Sequence, residues 1–170
     1  TDAGEILNKL REKIIKALEQ KGVDTQQKDG MDLALCVWDK KTETLSYSGA
    51  NNPLWIIRNA PPSLPEGAEL LELKPDKQPV GLFYGELKPF TVQQFALQKG
   101  DVIYSFSDGY ADQFGGEKGK KFKYKAFKEL LLSIQNENME AQKNILNDAF
   151  EKWKGNLEQV DDICVIGVKV

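Results

Sequence analysis

The most constraining feature of the chain is an apolar run that ends in a carboxylate followed by glycine. The run Val102–Phe106 predicts a buried strand, and Ser107, Asp108 and Gly109 follow it directly. An acidic side chain at the tip of a core strand lies near the apolar interior, where a charge without a partner is costly. Glycine allows a sharp turn and the close approach of a ligand to the backbone. The pattern therefore indicates a functional site at this strand end.

A second pair of acidic residues lies near the end of the chain. Asp161 and Asp162 precede the apolar run Ile163–Val170, which also predicts a strand. Hard cations such as Mg²⁺, Mn²⁺ and Ca²⁺ prefer carboxylate oxygens as ligands. Two acidic strand ends in one small chain therefore predict part of a hard-cation site. Taken singly, Asp108 also fits a simple turn, and the Asp161–Asp162 pair fits a solvated strand end.

The composition limits the available chemistry. The chain has 170 residues, 41% hydrophobic and 29% charged, which is typical of one globular domain. Its 23 basic and 26 acidic residues give a net charge of −3, so charge alone does not suggest a nucleic-acid or membrane-surface partner. The sequence contains no histidine, which excludes a Ser-His-Asp or Cys-His nucleophile within it. Catalysis by these residues would need carboxylates, lysines or a bound cation.

Two cysteines, Cys36 and Cys164, each lie in an apolar run that predicts a strand. We expect both to be buried, reduced thiols of a cytoplasmic protein rather than a disulfide or a metal pair. No apolar stretch approaches the roughly 18 residues that span a bilayer. No signal-peptide pattern opens the sequence.

The hydrophobic periodicity predicts a helix, a block of strands, two helices and a last strand. We expect Thr1 and Asp2 to cap the start of the first helix and Gly22 to end it. The other predicted helices are Lys120–Ile134 and Met139–Trp153, and the strands are Met31–Trp38, Leu45–Ser48, Leu54–Arg58, Leu70–Leu73, Phe90–Leu97, Val102–Phe106 and Ile163–Val170. A proline-rich loop is predicted at Asn59–Gly67. This order favours an α+β fold with antiparallel strands and helices covering a face of the sheet.

Four segments occur in an order that resembles one family of enzymes. They are GANNPLW at 49–55, KQPVGL at 77–82, FSDGYADQFGG at 106–116 and VDDICVIGV at 160–168. The ordered set resembles the metal-dependent serine/threonine phosphatases of the protein phosphatase 2C superfamily. Within it, the chain is similar to the bacterial branch typified by the sporulation stage II protein E phosphatase and the regulators of anti-sigma-factor antagonists. Each segment alone is a weak signal, and the resemblance covers nearly the whole chain.

The resemblance implies a fold, a reaction and a set of site residues. The fold would be part of an α/β/β/α sandwich of mainly antiparallel sheets with flanking helices. Two Mn²⁺ or Mg²⁺ ions would be held by carboxylates, and a water bridging them would attack phosphoserine or phosphothreonine, with no catalytic residue beyond the metal ligands. In this sequence the resemblance assigns Asp108 and Asp161 as metal ligands. Asp162 and Gly109 would position these ligands without binding the metal themselves.

The chain also departs from the family pattern. The family's metal site uses an upstream Gly-Asp segment followed by Gly-His-Gly, and this sequence holds no counterpart. We therefore interpret residues 1–170 as a single, partial phosphatase domain that lacks its N-terminal strands and first metal motif. Asp108 and Asp161 would supply two ligands to ions that take about six oxygens. We expect the chain by itself to be inactive or nearly so.

The resemblance also implies partners. It predicts a phosphoprotein substrate in bacterial signalling, such as an anti-sigma-factor antagonist, and sensor domains upstream in the same polypeptide. The domain would lie in the cytoplasm, tethered to the membrane where the sensor is a membrane protein. An unpaired sheet edge makes a homodimer a further hypothesis. The alternative function is a degenerate, phosphatase-like module that binds a protein without turnover. The ordered motifs disfavour a third possibility, a non-catalytic calcium- or magnesium-binding fold.

Other polar residues fit structural roles better than functional ones. We expect Asp112 to stabilise a turn rather than to join the site, and Asn51 and Asn52 to form a turn that tolerates left-handed backbone. Asp29 and Asp32 fit an acidic turn better than a third ligand position. Five lysines could meet the charge of a phosphoprotein, although a solvated helix start is the better interpretation; they are Lys118, Lys120, Lys121, Lys123 and Lys125.

Overall fold

A computed structural model of the chain describes residues 2–19, 29–58, 67–83 and 85–170. The predicted helix start at Thr1, the predicted helix end at Gly22 and most of the proline-rich loop Asn59–Gly67 lie outside these residues. The chain divides into two compact units, which are described separately. The first comprises residues 1–54 and 72–97, and the second comprises residues 55–71 and 98–170.

Helices and strands follow the predicted order, with several short elements added. The helices are α1 (Ala3–Ala17), α2 (Gly109–Asp112), α3 (Lys123–Ser133) and α4 (Met139–Lys154). The strands are β1 (Gly30–Met31), β2 (Leu33–Asp39), β3 (Thr44–Ala50), β4 (Leu54–Arg58), β5 (Glu69–Leu73), β6 (Val80–Gly81), β7 (Gln93–Ala96), β8 (Val102–Phe106), β9 (Phe114–Gly115), β10 (Lys120–Lys121) and β11 (Val165–Lys169). None of the described helices is long and apolar enough to cross a membrane.

The first unit is built on an antiparallel sheet with the strand order β2-β3-β7. Helix α1 packs on a small apolar core, which contains Leu7, Ala50, Val80 and Phe90. The cap predicted at the start of α1 is confirmed for Asp2, whose carboxylate accepts a hydrogen bond from the Glu5 N–H at 2.9 Å. A carboxylate at this position satisfies an N–H that the first helical turn leaves without a partner.

The second unit is built on a sheet with the strand order β11-β8-β4-β5, in which β8 is antiparallel to both of its neighbours. Side chains from this sheet and from α2, α3 and α4 form one core, whose buried members include Trp55, Tyr104, Phe106, Tyr110, Phe127, Leu131, Leu146 and Phe150. The α+β class and the mainly antiparallel pairing predicted from the sequence are therefore confirmed.

The register between β8 and β11 brings the two acidic segments to one end of the sheet. Phe106, the last residue of β8, pairs with Val165, the first residue of β11. Because the two strands are antiparallel, the chain leaving β8 and the chain entering β11 lie at the same end. Asp108 and Asp161 therefore belong to neighbouring segments, although they are far apart in sequence.

Two expectations about burial and boundaries are wrong. Cys36 and Cys164 are both exposed and unpaired. Cys36 lies on β2 and Cys164 lies just before β11, and each of these strands is the outermost of its sheet within the described residues. An outermost strand lacks a neighbour that would cover its side chains from one side. The helix predicted from Lys120 begins instead at Lys123, since Lys120 and Lys121 form a strand that pairs with β9.

A partly buried ion pair stabilises the second unit where β4 ends and β8 begins. The Arg58 guanidinium donates to both carboxylate oxygens of Asp101, at 3.0 and 2.6 Å, and these bonds raise the pKa of Arg58. Asp101 also accepts from the Gln98 N–H at 2.8 Å, and its side chain is only 1% exposed. A bidentate pair of this kind fixes the geometry of both side chains.

Leucine in place of Arg58 is expected to leave the Asp101 carboxylate buried without its cation. Breaking such a pair from one side costs about 3 kcal/mol. Urea unfolding of the variant would measure this loss in the free energy of unfolding. The double variant Arg58→Leu/Asp101→Leu is expected to recover much of it, because no uncompensated charge remains. A double variant no more stable than Arg58→Leu would argue against the ion pair as the cause.

Candidate metal centre

Asp108 lies at the turn between β8 and the short helix α2. Its side chain is exposed, and among the described residues it caps none of the N–H groups of α2. The alternative interpretation of Asp108 as the side chain that closes a simple turn therefore gains no support. The backbone around it is ordered by helical bonds, since the Asp112 N–H donates to the Asp108 carbonyl oxygen at 2.9 Å.

Helix α2 is held in the core by Tyr110. Its ring stacks on the Phe127 ring, with centroids 4.4 Å apart, and its hydroxyl donates to the Leu146 carbonyl oxygen at 2.8 Å. Burial raises the pKa of Tyr110, so the hydroxyl keeps the proton that this hydrogen bond requires. The turn that carries Asp108 is thus attached to a rigid part of the second unit.

Asp161 and Asp162 lie on the loop that leads into β11, and both are exposed. One oxygen of the Asp161 carboxylate, Oδ1, accepts the Asp162 N–H at 2.7 Å. The Gln159 side chain donates to the Asp161 carbonyl oxygen at 2.8 Å. These two local bonds orient the Asp161 side chain and the backbone on either side of it.

Ser107 joins the two acidic segments directly. Its hydroxyl donates to the Asp162 carbonyl oxygen at 2.8 Å and accepts the Cys164 N–H at 2.9 Å. Its own N–H donates to the Cys164 carbonyl oxygen at 2.9 Å. Ser107 therefore connects the turn that carries Asp108 to the backbone of the Asp161–Asp162 loop, at Asp162 and at Cys164.

Gly109 allows the same two segments to approach closely. A Cβ atom added at Gly109 would lie 2.4 Å from the Asp162 carbonyl oxygen, well inside van der Waals contact. The sequence predicts that Gly109 allows close approach to its backbone, and the group that approaches it is the backbone carbonyl of Asp162. The structure brings together the segments that carry all four predicted site residues, Asp108, Gly109, Asp161 and Asp162.

Gln113 is a further residue at this site, and sequence reasoning missed it. Its side chain is fully buried, and its amide nitrogen donates to the carbonyl oxygens of Phe114 and Glu158 at 3.0 and 2.9 Å. Its amide oxygen accepts the Val160 N–H at 3.3 Å. The only signal in the sequence is a polar residue within an otherwise turn-like segment, which does not distinguish a buried amide from a solvated one.

The structural interpretations of Asp112 and Asn51 agree with the contacts they make. Asp112 forms an ion pair with Lys121 at 2.9 Å, which joins α2 to the hairpin of β9 and β10. Asn51 has a φ of 55°, in the left-handed region expected for a turn residue. Its side chain donates to the Asp32 carboxylate at 2.8 Å, so Asp32 stabilises this turn of the first unit by a hydrogen bond.

The residues at this strand end offer the type of donor atom that a hard divalent cation binds. Asp108 and Asp161 supply carboxylates, and the backbone carbonyl of Asp162 lies against Gly109, next to Asp108 in sequence. All of these donors are oxygen atoms, which Mg²⁺ and Mn²⁺ prefer. In number they fall short, since no group of three or more His, Cys, Asp and Glu side chains occurs in the part of the chain that the structure describes. The assignment of Asp108 and Asp161 as ligands stays a prediction.

Solved structures with a similar architecture show which fold the chain has. The SiaA-PP2C domain of Pseudomonas aeruginosa matches with a TM-score of 0.83 at 22% identity, covering 99% of this chain and 61% of that one. The phosphatase domain of SpoIIE from Bacillus subtilis, in a manganese-presoaked form, matches with a TM-score of 0.61 at 14% identity, covering 98% and 72%. The fold is that of PP2C-type phosphatase domains, and this chain spans 61% of the length of the SiaA domain.

The family is shown by the sequence itself. The family model for stage II sporulation protein E (SpoIIE) matches residues 1–170, so the chain belongs to the SpoIIE family. The resemblance drawn from the four ordered motifs is thereby confirmed. No curated protein sequence matches the chain closely enough to count as a relative.

Proposed function

We propose that the protein to which this chain belongs is a metal-dependent phosphatase that hydrolyses phosphoserine or phosphothreonine in a protein. The observation that carries the proposal is the contact between the two acidic segments through Ser107 and Gly109. Asp108 and Asp161 would hold Mn²⁺ or Mg²⁺, two ions in a complete domain. When bound, such ions supply a water of lowered pKa and positive charge for the phosphoryl oxygens.

The chain's own residues have simple tasks in this proposal. Asp108 and Asp161 bind cations through their carboxylates, and no other side chain is assigned a catalytic role. Gly109 leaves room for the Asp162 carbonyl, and Ser107 keeps that backbone in place. A cation bound by both carboxylates would offset the repulsion between their negative charges.

Two carboxylates alone do not complete a site for ions that take about six oxygen ligands. We therefore propose that residues 1–170 by themselves are inactive or nearly so, and that further ligands come from another part of the natural polypeptide. The chain's span of 61% of the SiaA domain agrees with this. Sensor domains in the same polypeptide, a cytoplasmic location and a homodimer belong to the same proposal. The outermost strand β11, with Ile166 55% exposed, is the edge at which two copies would pair.

Release of phosphate from a phosphoserine peptide would test the proposal. The full-length protein and residues 1–170 would be compared over a titration with Mn²⁺. Activity in the full-length protein alone would support both the phosphatase and its division between segments. Activity in neither would overturn the enzyme and favour a phosphatase-like module that binds its partner without turnover, which a pull-down with phosphorylated and unphosphorylated partner would then examine.

We further propose a phosphoprotein with acidic surroundings, such as an anti-sigma-factor antagonist, as the substrate. Residues 117–128 contain six lysines and one glutamate, in a chain whose net charge is −3. This basic segment follows α2 and is attached to it by the ion pair between Lys121 and Asp112. The Gly116 N–H also donates to the Trp153 carbonyl oxygen at 2.8 Å, which anchors the hairpin on α4. The segment thus presents positive charge from a fixed position in the unit that carries the acidic pair.

Replacing the exposed Lys118, Lys120 and Lys123 by glutamine is expected to raise KM for an acidic phosphoprotein while leaving kcat unchanged. Three exposed charge pairs at about 0.5 kcal/mol each correspond to roughly tenfold in KM. The difference should shrink at high salt, because exposed charges are screened. Glutamine at the exposed Lys99, Lys143 and Lys152 makes the same change in net charge and serves as the control. An equal rise in KM in both triple variants would assign the effect to net charge alone.

A further inference from the structure

The loop that carries Asp161 and Asp162 is held on both sides by the segment that carries Asp108. Ser107, one residue before Asp108, binds the loop at the backbone carbonyl of Asp162, the second member of the acidic pair, and at the N–H of Cys164 beyond it. Gln113, which follows α2, binds the loop before the acidic pair, at Glu158 and Val160. The two acidic residues thus lie between two points of attachment.

The contacts of Ser107 require a hydroxyl group. The one O–H donates to the Asp162 carbonyl oxygen, and the same oxygen accepts the Cys164 N–H. Among small side chains, only serine and threonine can donate and accept through one atom in this way. Alanine at this position would leave both backbone groups without these partners, while the bond from the Ser107 N–H to the Cys164 carbonyl would remain.

The contacts of Gln113 require a carboxamide. Its nitrogen donates to two carbonyl oxygens, and its oxygen accepts an N–H, so both ends of the amide are used. Its backbone carbonyl oxygen also accepts from the Phe122 N–H at 2.9 Å and from the Trp153 indole N–H at 3.1 Å. The residue is therefore fixed before it binds the loop. The side chain is fully buried, so its amide is held in place by the packing around it as well as by these bonds.

We infer that Ser107 and Gln113 are positioning residues that set the affinity of the acidic pair for a divalent cation. Neither is assigned to the metal or to the substrate; each acts by holding the Asp161 loop against the turn that carries Asp108. The inference rests on the proposed function, because it takes Asp108 and Asp161 as the ligands. Groups that orient metal ligands through hydrogen bonds typically contribute about 10- to 100-fold in metal affinity.

Manganese binding by the full-length protein, measured by electron paramagnetic resonance of free Mn²⁺, is the first test. Ser107→Ala and Gln113→Met are each expected to raise the Kd for Mn²⁺ by about 10- to 100-fold. Ser107→Thr keeps the hydroxyl and is expected to restore most of the affinity. Wild-type affinity in folded Ser107→Ala and Gln113→Met would overturn the inference.

Two matched controls separate positioning from general stability. Ser133→Ala removes a hydroxyl that donates to the Leu130 carbonyl oxygen at 2.7 Å within α3. Gln142→Met removes an amide that is 1% exposed and donates to the Glu137 carbonyl oxygen at 3.0 Å. Both are expected to change the melting temperature while leaving the Kd for Mn²⁺ as in the wild type. A rise in Kd in Gln142→Met equal to that in Gln113→Met would overturn a specific role for Gln113.

Hydrogen exchange provides a readout without metal. The amides of residues 158–164 are expected to exchange faster in Ser107→Ala and Gln113→Met than in the controls. If the full-length protein bound Mn²⁺ but released no phosphate, the proposed function would be wrong and the positioning role would stand. A wild type that binds no Mn²⁺ would overturn both proposals. Faster exchange together with an unchanged Kd would overturn the positioning role alone.

Discussion

Asparagine in place of Asp108 or Asp161 is expected to abolish most of the phosphatase activity of the full-length protein. The amide keeps the shape of the side chain and one oxygen but removes the negative charge that attracts a cation. A group that only supports a ligand already contributes about 10- to 100-fold, so loss of a ligand should lower phosphate release by more than about 100-fold. Phosphate release from a phosphoserine peptide over a Mn²⁺ titration would measure the effect.

Two further aspartates make the comparison specific. Asp162→Asn is expected to have a smaller effect, about tenfold, because the predicted role of Asp162 is to support Asp161. Asp148→Asn changes an exposed aspartate of α4 and is expected to leave activity unchanged. If Asp108→Asn or Asp161→Asn kept wild-type activity at saturating Mn²⁺, the ligand assignment of that residue would be wrong.

Long apolar segments could be predicted well from the sequence. The strands Leu54–Arg58 and Val102–Phe106 have the predicted bounds, and α4 differs from its prediction by one residue at its end. Each is bounded by a polar or turn residue, and its core side chains are buried in the second unit. In such segments local propensity and burial favour the same structure, which makes their bounds predictable.

Short elements could not be predicted, because tertiary contacts determine them. Strands β9 and β10 have two residues each, too few to show a period. Their place is fixed by backbone bonds from Phe122 to Gln113 and from Gly116 to Trp153, residues of other elements or of loops. Lys120 and Lys121 fit the helical pattern of α3 equally well, so no local pattern indicated that this helix begins only at Lys123.

The site could be predicted only as separate parts. The acidic residues stood out because each lies at the end of an apolar run, and the resemblance to a family assigned their roles. Their proximity depends on the pairing of Phe106 with Val165, which no local pattern encodes. Gln113 was missed for the same reason, since its partners at Glu158 and Val160 lie far along the chain. The burial of Cys164 was predicted wrongly because a strand pattern does not tell an outer strand from an inner one.

Alanine in place of Gly109 is expected to force the two acidic segments apart. Its Cβ would lie 2.4 Å from the Asp162 carbonyl oxygen and 3.2 Å from Ile163 Cγ1, so the backbone of the loop or of α2 must move. Overpacking of this kind costs about 1–3 kcal/mol. In a chain of this size each kcal/mol lowers the melting temperature by about 2–4 °C. Thermal unfolding would measure the loss of stability, and Mn²⁺ binding by the full-length protein would measure the loss of affinity.

Gly67→Ala is the matched control, because a Cβ at Gly67 meets no atom of the described residues within 4 Å. It makes the same reduction in the backbone freedom of the unfolded chain, so the difference between the two variants isolates the clash at Asp162. Gly109→Ala should lower both the melting temperature and the affinity for Mn²⁺, since the same movement strains the fold and separates Asp108 from Asp161. A variant that loses stability but binds Mn²⁺ as the wild type does would show that the acidic pair tolerates this displacement, and that the close approach at Gly109 serves the fold rather than the cation.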